Sequence, residues 1–166
     1  MSQGMFFSGE ATEGQIYEEI TSRISYILPK EDNLLSNLAN FTALLKEAFG
    51  KISWAGFYLY DGKRLYLGPF QGKIACTNIE IGKGVCGTAA ELGKTVIVGD
   101  VEKFPGHIAC DPNSRSEIVV PLYNSDKSLY GVLDLDSNLL NAFSEIDQNA
   151  LEKLVNYFEQ NLIPGN

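Results

Sequence analysis

Cys76, Cys86, His107 and Cys110 are the three cysteines and the single histidine of this chain, and they fall in one stretch, residues 68–115. That stretch is rich in Gly, Pro, Asp and Asn and has no long periodic run. A segment of that length without regular structure inside a compact domain is usually functional. By count, the four residues make a Cys₃His zinc set. Their spacing opposes it, because no two cysteines stand close enough for a knuckle and a Gly-rich turn separates Cys76 from Cys86. Inert burial suits Cys76, which opens an alternating stretch, since free Cys is among the most buried residue types. It suits Cys86 and Cys110 less, because both lie in loop-like sequence. The third reading is thiol redox chemistry. A reactive Cys needs thiolate character, exposure and commonly a second thiol to resolve a sulfenic acid. Loops would expose Cys86 and Cys110. Cys86 also stands just before Gly87 and Thr88, the expected start of a helical turn whose free N–H groups would favour a thiolate.

The second group is acidic. Glu117 opens an apolar run, and Asp134 and Asp136 stand two apart in another, so both share one face of a strand. Val132, Leu133 and Leu135 surround them. The carboxylates form either a solvated sheet face or a polar pocket turned toward the loops. In a pocket they would bind an ammonium group, or one of them would act as an acid with its pKa raised by burial or crowding. Trp54, with Phe57 and Tyr58 nearby, would line that pocket or simply fill the core. Two glycine motifs carry less. Residues 82–87 match G-x-G-x-x-G, but the apolar run behind them is short and no parallel βαβ pattern surrounds them. They read as a tight turn with glycines at positive φ entering a short helix. Gly93-Lys94-Thr95 resembles the end of a P-loop, but Thr88 stands where the first glycine must be.

These residues must be positioned by a mixed fold. Ile16, Ile20, Ile24 and Ile27 recur at helical spacing, as do Leu34, Leu38, Phe41, Leu45 and Phe49. Strands are expected at 53–60 and 64–67 around an Asp61-Gly62 turn, at 76–81, at 95–98, and at 117–123 and 129–136 around a hairpin loop. Ser144 and Asp147 resemble a capping box ahead of a final helix marked by Ile146, Ala150, Leu154, Phe158 and Leu162. Hairpins point to a largely antiparallel sheet with helices packed on it, an α+β domain. The expected organisation is one domain over 1–166: helices at about 14–49, a strand-rich core with the chemical loops at about 53–137, and a last helix at about 145–162.

Composition narrows the partners. The net charge of −8 and pI of about 4.6 oppose a nucleic-acid partner, whose phosphates attract Lys and Arg. No apolar run approaches the ~18 residues of a membrane span. Residues 1–13 lack a basic segment followed by an apolar one, so no leader is expected and the cytoplasm is the default compartment. An odd, small cysteine count argues against a structural disulfide framework.

Five strings read together: GPFQGKIAC (68–76), GKGVCGTAA (82–90), FPGHIACD (104–111), SEIVVPL (116–122) and GVLDLDS (131–137). Over the central part of the chain this resembles the free methionine-(R)-sulfoxide reductases, which are single GAF domains. The resemblance implies a GAF-like fold with a central antiparallel sheet of about six strands. It implies reduction of the R sulfoxide of free methionine by a cysteine nucleophile, through a sulfenic acid and an intramolecular disulfide recycled by thioredoxin. No metal or organic cofactor is implied, and a homodimer is. Position by position, Cys110 looks like the nucleophile, Cys76 like a main resolving cysteine and Cys86 like a second partner, with the pairing left open. Glu117, Asp134 and Asp136 look like the carboxylates of the substrate site. Trp54, with Tyr58 beside it, looks like the wall against the methyl end. The alternative is a non-catalytic GAF module sensing a small ligand, which would have no use for three cysteines at these positions.

Overall fold

The computed structural model describes residues 9–165. Residues 1–8, part of the stretch read above for a leader, and residue 166 lie outside the described residues, and with them the two ends of the 1–166 range.

Two helices come first. α1 (Glu13–Ile27) starts at Thr12, whose hydroxyl accepts from Gln15 N while the Gln15 side chain accepts from Thr12 N, a reciprocal cap. It buries Tyr17, Ile20 and Ile24, whereas Ile16 and Ile27 pack only at the margin of the core. α2 (Leu34–Ala48), capped by Asn33, buries Leu38, Phe41 and Leu45. Then come β1 (Trp54–Tyr60), β2 (Arg64–Gln71), β3 (Asn78–Glu80), α3 (Gly84–Leu92), β4 (Val96–Val98), β5 (Ser116–Tyr123), β6 (Leu129–Ser137) and α4 (Glu145–Tyr157). The expected box at the start of α4 is present, with Ser144 and Asp147 capping each other. Ile146 departs from the expected stripe: it is exposed. The last apolar positions, Phe158 and Leu162, are buried in a π-helical turn that continues α4.

The six strands form one antiparallel sheet in the order β3-β2-β1-β6-β5-β4. Alternation gives the sheet two unlike faces. Ala55, Phe57, Ile118, Val120, Leu133 and Leu135 face one core, which α1, α2 and α4 cover. Trp54, Tyr58, Val119 and Val132 face the other side, where α3 supplies Val85, Cys86 and Ala89. Phe57 therefore belongs to the helix-side core and not to the pocket wall expected of it. β5 is buried on both faces through Leu122, which is why its sequence reads as a continuous apolar run.

A buried ion pair ties the helices to the sheet. Lys51 Nζ lies 2.9 Å from Asp147 Oδ1 and 2.8 Å from Glu13 Oε2, and donates to Ala142 O at 2.8 Å. Asp147 is fully buried and also accepts from Tyr17 OH and Ser144 N, each at 2.8 Å. Lys51→Met would leave that carboxylate without its cation. Breaking a buried pair from one side costs about 3–5 kcal/mol. The unfolding free energy is expected to fall by that amount, read as a lower urea midpoint at unchanged slope. A midpoint equal to the parent's would show that the pair adds nothing.

Candidate active site

The site is built where β1, β5 and β6 run side by side. Glu117 stands opposite Asp136 across β5 and β6, and Asp134 is two residues further on, opposite Val119. All three carboxyls therefore share the face that carries Trp54 and Tyr58. Gly56, opposite Asp134 on β1, makes room. A Cβ there would overlap the Trp54 indole and press on Phe70. With glycine in place, the indole lies flat between Phe70 (ring centroids 5.3 Å apart) and Tyr58 (5.9 Å).

Two loops close over this face. Trp54 Nε1 donates to Lys73 O at 3.0 Å, and Tyr58 OH donates to Cys76 O at 3.0 Å, so the aromatic wall holds the 73–76 segment. Cys76 precedes β3 instead of lying in the strand expected from 76, and it is half-buried. A disulfide joins it to Cys110, with Cα atoms 5.7 Å apart. Lys73 Nζ, 3.7 Å from Asp111 Oδ1, makes a second tie between the loops. The cleft holds about 590 Å³ of empty space, a figure that includes the solvent of its open mouth. The three carboxyls, Trp54, Tyr58, Cys86 and Cys110 line it; Cys76 stands behind Cys110.

Cys86 corrects an expectation. It does stand in the first turn of a helix, as the third residue of α3, but it is not exposed. α3 begins earlier, at Gly84, because Gly82 (φ 81°) and Gly84 (φ 62°) turn the chain in left-handed conformations. The turn aims Val85 and Cys86 at the sheet. Cys86 is only 4% exposed, and its Sγ lies 3.8 Å from Glu117 Oε1. Burial, then the charges of Asp134, Glu117 and Asp136, push its thiol well above the usual range.

The carboxyls are not a solvated face. Burial, then the neighbouring Asp134 and Asp136, holds Glu117 well above the carboxylate range. Burial raises Asp134 to about 6. Asp136 is raised by burial and by Asp134, against the opposing hydrogen bond from Ser114 Oγ (3.0 Å to Oδ1). The trio thus retains protons where isolated carboxyls would be ionised, which is the state an acid catalyst needs. His107, weighed above only as a zinc ligand, places Nε2 3.9 Å from Glu117 Oε2, and burial lowers its pKa. With Cys76 and Cys110 joined to each other, the Cys₃His set does not assemble. Ser114 is a site residue that sequence reading missed, and His107 is one whose place beside Glu117 it did not anticipate. Both sit in loop sequence without periodicity, so nothing local reports which way they face.

Relatives place this arrangement. Residues 16–162 match the family model described as GAF domain. The free methionine-R-sulfoxide reductase of Escherichia coli is 44% identical over 146 residues, covering 88% of either chain. The chain belongs to the GAF-domain family of free methionine-(R)-sulfoxide reductases. The X-ray structure of the Neisseria meningitidis member in complex with its substrate superposes with a TM-score of 0.89 at 47% identity, covering 95% of this chain and 93% of that one. GAF domain-containing protein A of Dictyostelium discoideum is 51% identical over 156 residues, which is 93% of this chain and 97% of that protein. Membership bears out the resemblance carried by the five strings. The six-stranded antiparallel sheet with four helices is the GAF fold they implied.

Proposed function

We propose that this chain reduces the R sulfoxide of free methionine to methionine in the cleft between the disulfide and the carboxyl trio. The observation that carries the reading is the pairing of Cys110 with Cys76 directly above buried, proton-retaining carboxyls. With the pair reduced, the Cys110 thiolate attacks the sulfoxide sulfur while a carboxyl of the trio protonates the oxygen. The S–O bond breaks as the hydroxyl passes to the Cys110 sulfur, the bond between Cys110 and the substrate sulfur breaks, methionine leaves, and Cys110 is left oxidised as a sulfenic acid. The Cys76 thiol then displaces water from that sulfenic acid and forms the disulfide. A dithiol reductant of the thioredoxin class resets the pair. Cys110 is the better nucleophile candidate because it lines the cleft while Cys76 does not. Trp54 offers the flat apolar wall for the methyl end. No step requires a metal or an organic cofactor.

The cytoplasm and a homodimer belong to the same proposal. Among the described residues no helix is long and apolar enough to cross a membrane. The terminal helices α1 and α4, which carry the exposed Tyr26 and Ile146, are the candidate dimer surface. The test is methionine release from the separated R and S epimers of free methionine sulfoxide, with thioredoxin, its reductase and NADPH. Turnover of the R epimer alone is expected. Equal turnover of both epimers, or of neither, would overturn the proposal.

A further inference from the structure

The chain uses one tripeptide twice: Ile74-Ala75-Cys76 and Ile108-Ala109-Cys110. The disulfide joins the two ends, with Cα atoms 5.7 Å apart, so the isoleucines flank the S–S bond from two different loops. Ile74 is 91% exposed and Ile108 is 39% exposed. Both border the mouth of the cleft, and Ile108 rests against the start of α3, where a Cβ on Gly84 would come 3.1 Å from its Cδ1. Exposed apolar residues scattered singly are ordinary. A pair at matching positions beside a redox-active bond is not, and Ile74 covers almost nothing of its own chain. The sulfurs they flank belong to half-buried cysteines. Reduction requires a thiolate to reach one of those sulfurs. A small thiol needs no apolar seat to do so, whereas a protein dithiol does. Charge at the mouth also selects the partner. Of the described residues lining the cleft outside the carboxyl floor, Lys73 and Lys83 are cations and Asp111 is the one anion, itself 3.7 Å from Lys73 Nζ. In a chain of net charge −8, this margin is where an acidic partner is repelled least.

We propose that Ile74 and Ile108, with Lys73 and Lys83 at their margin, are the seat for a protein dithiol of the thioredoxin class whose face around its thiols is apolar with an acidic edge. The reductant's thiolate bonds to one sulfur of the pair, and the Cys76–Cys110 bond breaks. Its second thiol, losing its proton, displaces that sulfur. The reductant leaves as a disulfide, and the two cysteines together take up two electrons and two protons. That this disulfide turns over in catalysis rests on the proposed function; docking is read without the sulfoxide.

The test mixes the full oxidised chain with reduced thioredoxin and follows the thiols that appear beyond Cys86 by alkylation against time. Ile74→Asp should lower the second-order rate constant by at least ~10-fold, and Ile74→Leu by less than ~2-fold. Reduction by dithiothreitol, which needs no seat, should proceed at the parent rate in both. Added salt should slow the thioredoxin reaction and leave the dithiothreitol reaction unchanged. Leu35→Asp is the control: Leu35 is 62% exposed on α2, which covers the opposite face of the sheet, and its variant should react like the parent. A parent rate with thioredoxin in Ile74→Asp, an equal loss with dithiothreitol, an equal loss in Leu35→Asp, or a thioredoxin reaction indifferent to salt would each overturn the proposal. So would reduction by dithiothreitol but not by thioredoxin. Failure of the proposed function would show in the epimer assay and leaves these rates readable.

Discussion

Cys110→Ser is expected to abolish methionine formation, with a fall of ~10³-fold or more, as for removal of a nucleophile in other enzymes. Serine keeps the shape of the side chain but not its nucleophilicity, because a hydroxyl needs a matched base to attack. The neighbouring imidazole, His107, is directed at Glu117 and not at Cys110 in any contact the structure contains. Cys86 cannot take over the attack, since its thiol is buried among carboxyls and held in the protonated form. Cys76→Ser is the control that separates attack from resolution. It should still release about one methionine per chain in a single turnover, then stall, because the sulfenic acid has lost its partner. Turnover of Cys110→Ser near the parent rate would remove Cys110 as the nucleophile. An unchanged steady state in Cys76→Ser would make Cys76 dispensable for recycling.

Strand periodicity is what made the carboxyl floor legible. Asp134 and Asp136 had to share a face, and the β5–β6 hairpin had to bring Glu117 beside them once the turn at 124–128 was placed. The same periodicity implied that Phe57 and its neighbours Gly56 and Tyr58 look in opposite directions, so grouping Phe57 with Tyr58 ran against the pattern. The loops were less legible. The run from 99 to 115 has one 3₁₀ turn, and its course is set by contacts with distant residues: Val101 N donating to Arg115 O, Ser114 bonded to Asp136, and Cys110 joined to Cys76. Cys86 was misplaced for a different reason. Its loop-like sequence hid that two left-handed glycines start α3 at Gly84 and carry the thiol inward. Exposure of a cysteine is a tertiary property, and local composition predicted it wrongly here.

Glu117→Gln is expected to show the second large effect, a fall in kcat of ~10²–10⁴-fold, the range for loss of a positioned proton donor. Glu117 is the carboxyl most enclosed by others: Asp136 stands opposite, Asp134 lies diagonally, and the Cys86 thiol is at 3.8 Å. An amide keeps the shape and a hydrogen bond to the sulfoxide oxygen but has no proton to give. Asp134→Asn should lower kcat less, since Asp134 is raised only to about 6 and spends more of the neutral range ionised. Asp136→Asn should act mainly on KM, because Ser114 already fixes that carboxyl at the more open side of the floor. Loss of folding would not explain such results. A carboxyl whose pKa is raised by folding binds its proton more tightly in the native state, so its contribution to stability declines as pH rises through the folded pKa. The amide removes that decline, and the variants should melt no lower than the parent at pH 7–8. Circular dichroism melts beside separate kcat and KM values check both statements. Parent kinetics in all three variants would leave the carboxyl trio without a part in the reaction.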